Sequence, residues 1–256
     1  HSGKPSVSPS IARQIFKQSP QNPPGPRPLM TVAAIIPAYN EEHRIAAVLT
    51  ALTSAAMVGS IIVVNDGSTD GTAAAVQAFS NVELITLARN GGKGGAMRTG
   101  AMHADADVVL FFDADLIGLT PHHVKDLLAP VCSGDATMSM GIFRGGRLWT
   151  DMAQFFAPAI TGQRAIRRNV FLQIPDLESV GYGIELAINE YVHQQGLIRR
   201  DVILRGVTHP MKEEKLGWMR GAVSRMRMYQ QMLKFRLSLR KNKARPEKDK
   251  KRPGSE

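Results

Sequence analysis

The run Thr31-Val-Ala-Ala-Ile-Ile-Pro37 is short, apolar and rich in β-branched residues, which is typical of a buried strand. Residues 41–54 follow it with four apolar side chains at helical spacing, namely Ile45, Val48, Leu49 and Leu52. The same order of strand, polar or glycine-rich turn and helix recurs as far as Phe112. Further strands are predicted at Ile61–Val64, Val82–Leu87 and Asp107–Phe112, and further helices at residues 70–79 and 92–104. Strands that alternate with helices imply parallel βαβ units, so we predict an α/β fold with a mostly parallel sheet flanked by helices.

The composition is that of a globular protein rather than a disordered one. Of the 256 residues, 43% are hydrophobic and 21% are charged. The single Cys132 cannot form an internal disulfide, which fits a reducing compartment such as the cytoplasm. The sequence has no apolar run of about 18 residues and no apolar signal-peptide core, so we expect neither a transmembrane helix nor a signal peptide.

The formal net charge of +10 is concentrated at the two ends of the chain. Residues 1–29 contain four bases and no acid, residues 212–239 seven bases and two acids, and residues 240–256 eight bases and three acids. Residues 30–211 therefore carry a net charge of −4. This distribution disfavours nucleic acid as a partner and favours contact between the basic C-terminal section and an anionic membrane surface.

Composition divides the chain into four segments. Residues 1–29 are predicted to be a disordered leader or an expression remnant, residues 30–211 the α/β domain, residues 212–239 a helical extension and residues 240–256 a disordered basic tail. Within the extension, residues 216–238 carry a Met-rich apolar stripe at helical spacing. The stripe favours a core or homo-oligomer interface, and a helix that lies on anionic lipid is the alternative.

Polar residues follow the predicted strands, at the edge where open α/β sheets bind ligands. These segments are Tyr39-Asn40-Glu41, Asn65-Asp66-Gly67-Ser68, Asn90-Gly-Gly-Lys-Gly-Gly95 and Asp113-Ala114-Asp115. We therefore expect them to face one crevice.

Two of these segments suggest sites for a metal and for a phosphate. Asp113 and Asp115 alternate on an extended chain, so both carboxylates can reach one divalent cation, unless they are solvated acids of a strand-end turn. The turn Gly91–Gly95 offers backbone amides at a helix N-terminus together with Lys93, which suits phosphate oxygens, unless it is a flexible surface turn. It matches neither the P-loop nor the Rossmann glycine pattern, which disfavours an ATPase or an NAD-dependent dehydrogenase.

Asp66 is a candidate acceptor for the imide N–H of a nucleotide base. Its alternative role is to cap the helix predicted at residues 70–79, for which Asp70 is the better candidate.

Four motifs occur in an order that resembles the GT-A glycosyltransferases, especially family 2. They are Ile35-Ile-Pro-Ala-Tyr-Asn-Glu-Glu42, Val63-Val-Asn-Asp-Gly-Ser-Thr-Asp-Gly-Thr72, Gly92-Lys-Gly-Gly-Ala-Met-Arg-Thr-Gly100 and Asp113-Ala-Asp-Leu116. Asn65 departs from the pattern, because family members often have Asp there. The resemblance implies a GT-A fold, a nucleotide-sugar donor and a divalent metal, Mn²⁺ or Mg²⁺. The donor-binding residues that it implies are Pro37, Ala38, Tyr39, Glu41, Asp66, Gly92, Lys93, Asp113, Ala114 and Asp115.

Two later segments resemble the acceptor side of polyprenyl-phosphate sugar transferases and glucosyl-3-phosphoglycerate synthases. They are Gly162-Gln-Arg-Ala-Ile-Arg-Arg168 and Gly181-Tyr-Gly-Ile-Glu-Leu186. The acceptor contacts implied by the resemblance are Gly162, Arg164 and Tyr182. The arginines at 164, 167 and 168 form a cluster suited to an anionic acceptor, and a solvated basic face is the alternative.

The same resemblance adds His209 to Asp113 and Asp115 as a metal ligand. His209 follows a strand predicted at Asp201–Val207, from which it can re-enter the crevice, and a loop histidine is the alternative. Glu185 also matches this resemblance, and it lies on a helix predicted from about Tyr182 to Gln195.

Glu185 is one of three candidate bases for an acceptor hydroxyl, and Asp176 and Glu178 are its rivals. Spacing does not rank the three, and a solvated helix glutamate is the alternative for Glu185. Lys93 is the candidate that would stabilise the charge of a diphosphate leaving group.

The expected function is metal-dependent transfer of a hexosyl group from a nucleoside-diphosphate sugar, with a UDP-sugar as the expected donor. The acceptor and the anomeric outcome stay open, and an anionic or lipid-linked acceptor fits the resemblance. The alternatives are a polyprenyl-phosphate sugar transferase, a sugar nucleotidyltransferase and a non-catalytic nucleotide-sugar binding module. The expected location is the cytoplasm, either in solution or on the membrane face.

Overall fold

A computed structural model describes residues 30–144, 161–178 and 183–210. Within these residues the strands are β1 (Val32–Ala38), β2 (Ser60–Asn65), β3 (Glu83–Thr86), β4 (Val108–Phe111), β5 (Met138–Arg144), β6 (Arg164–Arg167) and β7 (Arg199–Arg205). The helices are α1 (Ile45–Thr53), α2 (Thr72–Gln77), α3 (Lys93–His103), α4 (Pro121–Cys132), α5 (Arg168–Leu172) and α6 (Ile184–Gln194).

The seven strands form one sheet in the order β3-β2-β1-β4-β6-β5-β7. β1 pairs in parallel with β2 and β4, and β2 pairs in parallel with β3, as predicted. β6 runs antiparallel to both β4 and β5, whereas β5 and β7 are parallel. The mostly parallel sheet is therefore confirmed, and β6 places the second half of the chain beside the end of β4.

The core lies on both faces of the sheet. Val32, Ala34 and Ile36 of β1 pack in one hydrophobic cluster with α1 and α4. Ala33 and Ile35 pack in a second cluster with α3 and α6. All five side chains are at most 3% exposed. Burial on both faces explains why β1 is a continuous apolar run rather than an alternating one.

The strands and helices predicted up to Phe112 are present, with their ends shifted by a few residues. The helix predicted from residue 41 begins at Ile45, because the Glu41 carbonyl first accepts hydrogen bonds from Arg44 N (3.1 Å) and Ile45 N (3.0 Å) in a turn. The sequence pattern did not predict α4, β5 or β6. The start of α4 had a visible signal, because Thr120 caps the helix and Pro121 occupies its first position.

Several predicted features lie outside the described residues. They are the leader at 1–29, the helical extension at 212–239, the basic tail at 240–256 and Tyr182. In the part of the chain that the structure describes, no helix combines the length and the apolar composition needed to cross a membrane.

Candidate functional site

The loops after β1 and β2 are joined by hydrogen bonds, so the strand ends form one edge of a crevice. Asn40 N donates to Ser68 Oγ at 3.0 Å, and Thr69 N donates to Asn40 Oδ1 at 2.9 Å. Glu41 N donates to Thr72 Oγ1 at 2.8 Å. The convergence predicted for these two segments is therefore present. Of the donor residues predicted on the β1 side, Tyr39 is exposed, Pro37 and Glu41 are partly buried and Ala38 is buried.

Asp66 fastens the glycine-rich turn to the end of β2. Its side chain is 3% exposed, and its two carboxylate oxygens accept from Gly91 N at 2.7 Å and Gly92 N at 2.9 Å. Gly92 has φ of 85°, a conformation that favours glycine, and it precedes the first residue of α3. Asp66 therefore anchors the turn, and its alternative role as a helix cap is wrong. Asp70 instead accepts from Thr72 N at 3.0 Å at the start of α2.

Lys93, the first residue of α3, joins two carboxylates from distant parts of the chain. Its Nζ lies 2.6 Å from Asp113 Oδ1 and 2.6 Å from Glu185 Oε1. Burial opposes the charged form of Lys93, but the Asp113 and Glu185 carboxylates outweigh it and raise the pKa of Lys93. Burial likewise favours protonated Asp113, but the Lys93 ammonium and then His209 lower the pKa of Asp113 to about 2. Both groups are therefore charged at neutral pH.

Asp113, Asp115 and His209 form a cluster with the donor atoms that a divalent metal needs. His209 Nδ1 lies 3.0 Å from Asp115 Oδ1, and His209 Nε2 lies 3.5 Å from Asp113 Oδ2. One ligand atom from each residue lies within 4.8 Å of the others. Two carboxylates and one imidazole suit Mn²⁺ well and also accommodate Mg²⁺, so the residues fit the predicted ion.

His209 reaches Asp115 because the chain after β7 is pinned beside the chain after β4. Ile117 N donates to Thr208 O at 2.9 Å, and Thr208 N donates to Ile117 O at 3.0 Å. The His209 ring also packs edge-on against Phe143, with 5.3 Å between ring centroids. Burial lowers the pKa of His209, but its hydrogen bond to Asp115 and the nearby Asp113 charge raise it overall.

The structure separates the three candidate bases. The Glu185 side chain is 12% exposed and contacts Lys93 at the start of α6. Glu178 is 67% exposed at its side chain and lies 3.6 Å from Arg98 Nε. Asp176 is exposed, in a turn with φ of 54°. Glu185 is therefore the candidate with a contact to Lys93, and the catalytic role of any of the three stays a prediction.

The predicted basic surface cluster is corrected by the structure. Arg164 is 0% exposed, and its guanidinium donates to Thr161 O at 2.6 Å and to Glu185 O at 3.3 Å. Arg168 Nε donates to Ala101 O at 2.7 Å. A short antiparallel strand turns Arg164 into the interior, where it binds backbone carbonyls of the chain itself. Arg164 is therefore neither part of a solvated face nor an exposed acceptor contact.

Two residues just before β6, Gly162 and Gln163, lie against Asp113 of the candidate metal site. Gly162, predicted to contact the acceptor, lies against Asp113 and Lys93, since a Cβ built on it would be 2.5 Å from Asp113 Oδ2. Gln163 Nε2 donates to Asp113 Oδ2 at 2.9 Å. Gln163 is a site residue that the sequence did not predict. Its only signal was its place inside the motif that begins at Gly162.

A scan against protein-family models matches residues 33–178 to "Glycosyl transferase family 2". Over 121 residues, the chain is 35% identical to a dolichyl-phosphate beta-glucosyltransferase of Trichomonas vaginalis, a match that covers 40% of this chain and 37% of that protein. Over 116 residues, it is 31% identical to an undecaprenyl-phosphate 4-deoxy-4-formamido-L-arabinose transferase of Salmonella choleraesuis, with 42% and 35% coverage. The chain thus matches little more than a third of the length of these curated relatives.

Solved structures of glucosyl-3-phosphoglycerate synthase from Mycobacterium tuberculosis share the fold. The complex with Mn²⁺, UDP-glucose and phosphoglyceric acid matches with a TM-score of 0.67 and 23% identity, over 80% of this chain and 79% of that one. The complex with Mn²⁺ and UDP-glucose matches with a TM-score of 0.61 and 26% identity, over 77% and 76%. The predicted GT-A fold is confirmed by these matches. Because the family model covers more than half of its residues, the chain belongs to glycosyl transferase family 2.

Proposed function

We propose that the chain transfers a hexosyl group from a UDP-sugar with the help of a divalent cation held by Asp113, Asp115 and His209. One observation carries the proposal. Lys93, Asp113 and Glu185 form a charged group at the carboxyl end of the parallel strands, directly beside the Asp115–His209 pair. The Lys93 ammonium, beside a carboxylate-lined metal site, suits a reaction in which a diphosphate leaves with its negative charge.

The donor side of the proposal is supported by the turn that Asp66 holds. Each oxygen of a carboxylate has two lone pairs, and Gly91 N and Gly92 N occupy one on each oxygen of Asp66. Asp66 therefore retains acceptor capacity for the imide N–H of uracil. The M. tuberculosis synthase that shares the fold has been solved with UDP-glucose and Mn²⁺, which further favours UDP as the nucleotide.

Lys93 has one N–H that its two salt bridges do not use. An ammonium carries three donors, and two of them point to Asp113 and Glu185. The third has no partner among the described residues and could donate to a diphosphate oxygen, where it would stabilise charge as the sugar–phosphate bond breaks. A divalent cation bound by Asp113, Asp115 and His209 would neutralise the same diphosphate as a Lewis acid. Neither contribution requires Lys93 to lose its proton, which agrees with its raised pKa.

Glu185 is the residue that we propose orients the acceptor. Its carboxylate is largely buried and is held by Lys93, so it presents a fixed acceptor of hydrogen bonds to a nucleophilic hydroxyl. A hydroxyl acceptor must also lose a proton, and Glu185 is the described carboxylate we propose for that step. An acceptor phosphate is already ionised and would need only orientation.

The test is to measure binding and turnover on the purified chain. Calorimetry with UDP-glucose should show binding in Mn²⁺ that EDTA abolishes, and GDP-mannose should bind more weakly. Release of UDP on addition of an acceptor supports transfer, whereas formation of pyrophosphate from a nucleoside triphosphate and a sugar phosphate would indicate a nucleotidyltransferase. Donor binding with neither transfer nor hydrolysis would indicate a binding module.

A second candidate, transfer to a polyprenyl phosphate, is favoured by the curated relatives. Their names assign them dolichyl-phosphate and undecaprenyl-phosphate as acceptors. The basic section at residues 212–256 supports this candidate, because it would hold the crevice near an anionic membrane where such an acceptor lies. Assays with 3-phosphoglycerate and with undecaprenyl phosphate in detergent separate the two acceptor classes.

A further inference from the structure

Resting on the metal site proposed above, a second proposal concerns the two residues before β6. We infer that Gly162 and Gln163 are positioning residues that set the orientation of Asp113 in this site. Gly162 has no side-chain ligand atom, and Gln163 meets the Asp113–Asp115–His209 cluster through its Nε2, which donates to Asp113. Their effect on an ion would pass through the Asp113 carboxylate, which both of them contact.

Gly162 provides the space that Asp113 and Lys93 occupy. A Cβ on Gly162 would lie 2.5 Å from Asp113 Oδ2, 2.6 Å from Asp113 Oδ1 and 2.7 Å from Lys93 Nζ. Real Cβ atoms essentially never approach other heavy atoms this closely. Any larger residue would therefore displace the carboxylate and the ammonium together.

Gln163 fixes the rotation of the same carboxylate. Lys93 Nζ binds Oδ1 of Asp113, and Gln163 Nε2 binds Oδ2 at 2.9 Å. Each oxygen therefore has its own donor from a different element, so the plane of the carboxylate is held at two points. The same Oδ2 lies 3.5 Å from His209 Nε2, so its position also sets the distance between these two candidate ligands.

The burial of Gln163 indicates that its bond to Asp113 is its function. The side chain is 0% exposed, and its Oε1 has no hydrogen-bond partner among the described residues. A buried amide with one group unsatisfied is costly, and an apolar side chain of the same shape would fill the space without that cost. The hydrogen bond to Asp113 is the contact that an apolar residue would lack.

The backbone around Gln163 is held firmly enough to act as a support. Gly141 N donates to Gln163 O at 2.9 Å, and Arg164 donates from its guanidinium to Thr161 O at 2.6 Å. Arg164 then pairs with Met140 of β5 and with Phe111 of β4. Sheet pairing on both sides therefore fixes the segment, and the Asp113 side chain adjusts to it.

The test compares Gln163→Met and Gly162→Ala with two matched controls. Gln77→Met changes an exposed glutamine of α2, and Gly59→Ala adds a Cβ whose nearest contact is Val32 O at 3.4 Å. Mn²⁺ affinity is measured by the electron paramagnetic resonance of the free ion, with UDP present. The dissociation constant for Mn²⁺ should rise about 10- to 100-fold in Gln163→Met and in Gly162→Ala, and stay unchanged in the controls.

Two further measurements separate a positioning role from a loss of folding. Thermal unfolding and far-UV circular dichroism, both recorded in EDTA, should stay close to wild type in Gln163→Met, because neither depends on a bound ion. Equal Mn²⁺ affinity in wild type and Gln163→Met would overturn this inference alone. A wild-type chain that binds no Mn²⁺ would overturn both this inference and the metal site of the proposed function.

Discussion

Residues 30–115 contribute side chains to the crevice in a different way from residues 161–209. The first region, called the donor side after its proposed role, contributes segments that follow parallel strands directly, and its contacts lie between neighbouring strands and their loops. The second region, called the acceptor side after its proposed role, contributes Gln163 before an antiparallel strand, Glu185 at a helix start and His209 after the last described strand. These side chains meet the donor side only across long sequence separations, as in the Lys93–Glu185 and Asp115–His209 pairs.

Charged side chains join the two sides at the crevice, whereas apolar packing and strand pairing join them in the core. Lys93 and Asp113 of the donor side meet Glu185 and Gln163 of the acceptor side through ion pairs and one hydrogen bond. A change on either side should therefore be felt on the other.

The largest effect on activity is expected from changes to the candidate ligands of the proposed ion, which come from both sides. Asp115→Asn removes a donor-side ligand and His209→Ala an acceptor-side ligand, and each should lower kcat/KM about 100- to 1,000-fold, because each removes charge stabilisation from the transition state. Mn²⁺-dependent binding of UDP-glucose, measured by calorimetry, should weaken in both. Unchanged affinity in His209→Ala would restrict the metal site to the donor side.

A smaller effect is expected within the donor side alone. If Asp66 accepts a hydrogen bond from the uracil imide N–H, UDP should bind about 5- to 150-fold more tightly than CDP, whose base lacks that donor. The reason is that an unpaired buried acceptor costs about 1–3 kcal/mol. Competition titrations with the two nucleotides measure the ratio. Equal affinities would reject the role of Asp66, and tighter binding of GDP would redirect the donor assignment.

The coupling between the two sides should be weaker. A double-mutant cycle with Lys93→Met and Glu185→Gln should give an interaction energy of about 1 kcal/mol in unfolding by urea, because water screens the Lys93 end of the pair, whose side chain is 31% exposed. Additive effects of the two changes would show that this ion pair does not couple the two sides. A matched cycle with Arg199 and Asp201, an exposed pair on β7, should give a coupling nearer zero.

The smallest effect on the crevice is expected from the basic tail. Deleting residues 240–256 should leave UDP binding unchanged, because the tail belongs to neither side. It should reduce sedimentation with phosphatidylglycerol vesicles at low salt, since each Lys or Arg near such a surface contributes about 1 kcal/mol and salt screens it. Identical vesicle binding with and without the tail would contradict its proposed membrane contact.

The sequence alone was sufficient to predict which residues lie together on the donor side. A buried parallel strand is a continuous apolar run, and the polar residues directly after it face the ligand edge, so Asp66, Lys93 and Asp113 could be placed without coordinates. The motif order added the family, which the family model confirmed over residues 33–178. His209 and Glu185 were chosen through a resemblance and not through spacing.

The arrangement of the acceptor side depends on tertiary packing, which the sequence pattern did not predict. β6 is four residues long and carries arginines at both ends, so no periodicity distinguishes its buried Arg164 from a solvated base. The contact of Glu185 with Lys93, and the contact of Gln163 with Asp113, depend on where α6 and β6 pack. The pattern of apolar residues indicates which side of a single helix or strand is buried. These pairs form between different elements, which become neighbours through the order of strands in the sheet.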